Sequence, residues 1–88
     1  MKLKSGIIIN EVHGDYVAVA AGEAGRAFNG MIKMNGTAAF IAKTLQTETD
    51  EDGIVAALCG EYDVDAETAR ENVRAVIEKL RSVGLIDG

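Results

Sequence analysis

Two kinds of apolar spacing divide this chain. Residues 7–12 and 15–20 are short runs dominated by β-branched side chains, which suit a pleated, half-buried surface. They flank His13-Gly14, where glycine supplies the positive φ that a tight hairpin demands, so the two runs are predicted to pair as a hairpin. Residues 21–27, with Gly22 and Gly25, read as a flexible connection to a third strand over about 28–34. Side chains alternate along a strand, which puts Ile32 and Met34 on one face and Met31 and Lys33 on the other. Gly30 weakens this strand and is expected to mark a bulge or a close approach of backbone.

From residue 35 onward the spacing changes to threes and fours. Helices are predicted over about 36–47, 50–61 and 66–83. In the first, capped by Asn35, the positions Ala38, Ile41, Ala42 and Leu45 make one apolar stripe. In the second, Thr49 is the expected cap with Asp52 three residues on, and Ile54, Leu58 and Tyr62 are expected to face inward. Asp65 caps the third, whose series Ala69, Val73, Val76, Ile77 and Leu80 covers four turns. Gly84 can end that helix in a left-handed conformation, with Leu85 folding back over the last turn. The elements add up to an α+β fold, a three-stranded antiparallel sheet packed on three helices.

Composition narrows the function. A chain of 88 residues suits one domain with one modest core, without room for a deep enclosed cavity. With 48% hydrophobic and 26% charged residues, it has the makings of a folded domain rather than a disordered chain. No apolar run approaches the roughly 18 residues of a membrane helix, and Ile7-Ile8-Ile9 is too short for a signal-peptide core, so a cytoplasmic location is expected. The single cysteine, Cys59, has no intramolecular disulfide partner and falls among Ile54, Val55, Leu58 and Tyr62 at helical spacing, where burial is expected.

The net charge of −5 is uneven, at +1 over residues 1–34, −5 over 35–64 and −1 over 65–88. Much of the acid lies in Asp50, Glu51 and Asp52, which favour the positive end of a helix dipole. Asp50-Glu51-Asp52-Gly53 lacks the further oxygen ligands of a calcium loop. His13 sits in a turn, Cys59 on an apolar face, and no glycine-rich phosphate loop or metal-ligand cluster is present, so neither catalysis nor a cofactor is expected. What remains is a sheet edge beside a helix, an arrangement suited to capturing an extended peptide.

Taken in order, Tyr16-Val17-Ala18-Val19, Met34-Asn35-Gly36-Thr37-Ala38, Ile41, Leu45, Ile54, Leu58, Tyr62, Val73, Leu80 and Gly84-Leu85-Ile86 resemble the PqqD family, the leader-peptide-binding domains also called RiPP recognition elements. The resemblance spans nearly the whole chain and rests on order and spacing, no single motif being diagnostic. It implies a winged-helix-like fold that binds the leader of a ribosomally made precursor peptide. It further implies strand addition to the third strand, beside the third helix, and presentation to a modifying enzyme, often of the radical S-adenosylmethionine type.

On these residues the receiving strand would include Phe28, Gly30, Met31, Ile32, Lys33 and Met34, whose free backbone groups could pair with an incoming chain. Arg70, Arg74, Ile77 and Arg81 fall within roughly 60° on the third helix and are expected to form a basic and apolar rim for leader side chains. The same arginines can instead pair with Glu67, Glu71 and Glu78 at helical spacing. An exposed strand edge could also pair with a second copy in a homodimer. A winged-helix DNA-binding regulator is the alternative, with the third helix in the major groove. A sequence pI near 4.7 lacks the basic footprint that such binding needs.

Overall fold

Val12 and Asp15 face each other across His13-Gly14, which turn the chain with φ of 52° and 85°. Positive φ at both central residues is the mark of the hairpin turn whose twist matches its strands. The computed structural model describes residues 1–22 and 30–87. Within them the chain forms β1 (Lys2–Leu3), β2 (Ile7–Val12), β3 (Asp15–Ala20), β4 (Met31–Met34), α1 (Gly36–Thr44), α2 (Glu51–Glu61), α3 (Ala66–Ser82) and β5 (Ile86–Asp87).

The main sheet has the antiparallel order β2-β3-β4, with Ile9 opposite Ala18 and Ala18 opposite Ile32. The expected third strand is shorter than its sequence reading. It starts at Met31, and Gly30 lies just before it. Phe28 and most of the 21–27 connection lie outside the described residues. Alternation sorts the sheet into two faces. Ile7, Ala18, Ile32 and Met34 are buried against the helices, while Ile8, Val12 and Met31 face outward and are exposed.

The helices close the core from the other side. Ile41, Leu45, Ile54, Leu58, Val73 and Leu80 are all fully buried and meet in one cluster with the inner face of the sheet. Burying a side chain of this size stabilises by about 1.5–3 kcal/mol, so this stripe carries the fold. Asn35 caps α1 by accepting the Ala38 N–H at 2.8 Å, and Asp65 caps α3 by accepting the Thr68 N–H at 2.7 Å. The cap of α2 is Asp50 rather than Thr49. Its carboxylate accepts the Gly53 N–H at 2.7 Å, whereas the Thr49 hydroxyl turns toward the Asp50 carbonyl at 3.5 Å. A Cβ at Gly53 would lie 2.6 Å from Thr49 Oγ1, so glycine lets that hydroxyl keep its place.

Two side chains depart from the helical projection. Tyr62 is 40% exposed, because it caps α2 in an extended conformation and so leaves the inward stripe. Its ring instead packs edge-on against Phe40, with centroids 5.7 Å apart. Cys59 is half-buried against the core rather than enclosed.

After Ser82 the Leu85 N–H reaches back to the Leu80 carbonyl at 2.9 Å and the Gly84 N–H to Arg81 at 3.0 Å. Gly84 has φ 79°, the left-handed conformation that this paired-bond helix end requires. Leu85 is thereby buried, and the chain runs on into β5. There Leu3 pairs with Ile86 in a small ribbon separate from the main sheet. Leu3 N–H also donates to the Leu45 carbonyl at 2.8 Å, which ties the ribbon to the end of α1.

Candidate functional site

Among the described residues strand β4 meets β3 and no other strand, so the outward N–H and C=O groups along Met31–Met34 have no strand partner there. Helix α3 runs beside this edge and leaves a groove. The groove is about 200 Å³ and is lined by Ile32, Lys33, Met34, Asn35, Ala38, Val76, Lys79 and Leu80. At Asn35, Ala38 and Val76 it widens into a second depression of about 420 Å³ that also takes in Thr37, Asn72 and Ala75. Ile32, Met34, Ala38, Val76 and Leu80 give the lining its apolar part, and Lys33, Lys79, Asn35, Thr37 and Asn72 its polar groups.

Local sequence explains the shape. Val76 belongs to the apolar series of α3 but is only half-buried, because it stands at the border where the sheet stops. Ala38 and Ala75 are small, which keeps the channel open between the start of α1 and α3. Asn35 ends the strand and caps the following helix in one residue, so β4 and α1 are fixed relative to each other.

The opposite flank of α3 has a different chemistry. Arg70 is ion-paired with Glu51, and with Asp52 at 2.8 Å, while Arg74 Nε donates to Glu51 at 2.9 Å. Hydrogen bonds from Arg74 and then Arg70 hold the Glu51 carboxyl below the usual carboxylate range. Asp52 and Glu51 in turn raise the Arg70 guanidinium. Beside this cluster lies a hollow of about 460 Å³ lined by Glu51, Arg74, Ile77, Glu78, Arg81 and Ser82. No strand edge runs along it, and of its charged groups Glu51 is held by Arg74, while among the described residues Arg81 donates only to Met1 Sδ at 3.8 Å and Glu78 is in no ion pair.

The expected site residues therefore fall in two places. Met31, Ile32, Lys33 and Met34 form the open edge, with Gly30 leading into it. Arg70, Arg74, Ile77 and Arg81 stand together as expected, but on the flank of α3 that looks toward α2. At about 100° per residue they are centred roughly half a turn from Asn72, Ala75, Val76 and Lys79. The arginine partners also differ from the expected ones. Among the described residues, Arg70 and Arg74 pair with Glu51 and Asp52 of α2, not with the glutamates of their own helix.

Sequence reasoning missed Asn72, Ala75 and Lys79 as groove residues. An amphipathic stripe has two borders, and its spacing does not say which one faces the sheet. Alanine and asparagine on a helix also give no signal of their own.

Fold and site together define a small α+β domain with an open sheet edge above a helix groove. Residues 7–86 match the family described as Coenzyme PQQ synthesis protein D (PqqD), and the chain belongs to that family. Among solved structures it is similar to one titled "TbiB1 in Complex with the TbiA(beta) Leader Peptide", with a TM-score of 0.74 and 20% identity, covering 100% of this chain and 96% of that one. It is also similar to "Lasso peptide synthetase B1 complexed with the leader peptide", with a TM-score of 0.69 and 20% identity, covering 96% of this chain and 93% of that one. At this identity the likeness is one of fold. No curated protein matches the chain.

Proposed function

We propose that this protein binds the leader of a ribosomally synthesised precursor peptide by strand addition to β4 and presents the peptide to a modifying enzyme. The observation that carries the reading is the one-sided pairing of β4 directly beside the α3 groove. Backbone pairing at the edge gives affinity that depends little on sequence, and inward side chains settling against Ile32, Ala38, Val76 and Leu80 give choice. Membership of the PqqD family and the folds shared with two proteins solved with leader peptides support it.

In this reading the domain carries out no chemistry itself. The enzyme it serves acts on the peptide beyond the leader, and a radical S-adenosylmethionine enzyme is the class proposed. A role in DNA binding draws no support from the site, since Arg70 and Arg74 of α3 are already engaged by carboxylates of α2.

The test uses the genes beside this one. Synthetic peptides covering the first halves of short neighbouring reading frames are titrated against the isotope-labelled protein. One is expected to bind at one-to-one stoichiometry and to perturb the amides of β4 and of Ala75, Val76 and Lys79. The reading fails if no such peptide binds, or if a binding peptide perturbs α2 and leaves β4 untouched.

A further inference from the structure

The channel beside β4 carries charge of one sign only. The chain as a whole has a net charge of −5, yet the linings of the groove and of its wider depression include Lys33 and Lys79 and neither an aspartate nor a glutamate. The hollow on the other flank of α3 is mixed, with Glu51 and Glu78 beside Arg74 and Arg81. Lys33 and Lys79 are both exposed, and among the described residues no ion pair includes either of them.

Their positions keep them from acids of their own chain. On α3 the residues three and four away from Lys79 are Ala75, Val76, Ser82 and Val83, none of them charged, while the adjacent Glu78 lines the opposite hollow. Across the sheet Lys33 stands in a row with Val17 and Asn10, and Asp15, two residues along β3 from Val17, forms no ion pair with it.

We infer that the leader accepted by this groove is acidic, with one carboxylate on each face of its added strand, the first beside Lys33 and the second toward Lys79. The inference rests on the strand addition proposed above. Ile32 and Met34 point inward and Lys33 outward. A strand laid along β4 therefore turns alternate side chains inward over the channel, where Lys79 stands, and outward beside Lys33. Carboxylates on opposite faces lie an odd number of residues apart, so adjacent positions fit and positions two apart do not. Exposed pairs of this kind change affinity only severalfold. Backbone pairing and apolar contact supply the grip, and charge selects among sequences, favouring acidic leaders and repelling basic ones.

The test selects a phage-displayed library of random peptides, each of about twelve residues, against the immobilised protein, then titrates the enriched peptides into isotope-labelled protein. Peptides that perturb the amides of β4 are expected to carry Asp or Glu at odd spacing. Replacing either acid by its amide in such a peptide is expected to weaken binding about threefold, and Lys79→Glu in the protein about tenfold, with the circular dichroism spectrum unchanged at this exposed position. Against Lys33→Glu combined with Lys79→Glu, the same selection is expected to enrich Lys and Arg instead. Peptides that bind at β4 without acidic enrichment, or a selection unchanged by the double variant, overturn the charge inference and leave strand addition standing. Acids enriched at even spacing overturn the two-face arrangement. A library that yields no peptide perturbing β4 overturns strand addition, and this inference with it.

Discussion

The two flanks of α3 border the same core stripe and yet differ in kind. On one, Val76, Ala75 and Asn72 face a channel whose far wall is β4, a strand paired only with β3 among the described residues. On the other, Arg70, Arg74 and Arg81 face a helix whose first turn is acidic, and two of them already hold carboxylates. Charge density alone would single out the second flank. What separates them is unmet valence. On the charged flank Arg70 and Arg74 are engaged by Glu51 and Asp52, whereas the groove flank pairs an apolar floor with strand groups that have no strand partner among the described residues.

Four variants sharpen the contrast, beginning with the largest effect. Ile77 is buried under the arginine flank, so Ile77→Ala should lower unfolding stability by about 2–4 kcal/mol in urea titration, while Val76→Ala should cost well under half of that. Val76→Glu, at the half-buried groove border, should weaken leader binding by at least about tenfold, or ~1.4 kcal/mol, with the circular dichroism spectrum unchanged. Reversing charge in Arg74→Glu with Arg81→Glu should change leader affinity by no more than about twofold in the same titration, the size of change that exposed ion pairs ordinarily give. If the double arginine variant loses binding and Val76→Glu does not, the assignment of the two flanks is reversed.

Acid titration reaches the charged flank by itself. Glu51 is held low by Arg74 and Arg70, and Asp65 by the backbone N–H and then the hydroxyl of Thr68. A folded pKa below the unfolded one means that these groups stabilise fully above the ordinary carboxylate range and stop doing so as pH falls through their folded values. Thermal midpoints should therefore drop below that range, and Glu51→Gln should flatten the drop. Leader binding by the proposed backbone pairing and apolar groove contacts should change less over the same interval.

Much of the fold was legible because local chemistry and tertiary packing agree. Gly14 after His13 set the hairpin, Asn35 and Asp65 set two helix starts, and Gly84 set the end of α3 with Leu85 folded beneath it. The start of α2 was misplaced by one residue because Thr49 and Asp50 are both competent caps, and only the fit around Gly53 chooses between them. Tyr62 was read as inward because helical spacing continues in sequence after the helix itself has stopped. Strands β1 and β5 are two residues each, too short to show a period, and they exist through pairing across nearly the whole chain. The inward face of β4 was legible from alternation, whereas which border of α3 lines the groove was not, since that depends on where α2 packs.

The ribbon of β1 and β5 has a mechanical consequence. Its partners run antiparallel, with Lys2 beside Asp87, so tension drawn through those two positions loads the rungs one after another, as in opening a zipper. Because the ribbon shares no hydrogen-bonded strand with the main sheet among the described residues, such a pull meets first the bond from Leu3 to Leu45 and the buried Leu3 and Leu85 side chains, and reaches the β4 edge only through the core.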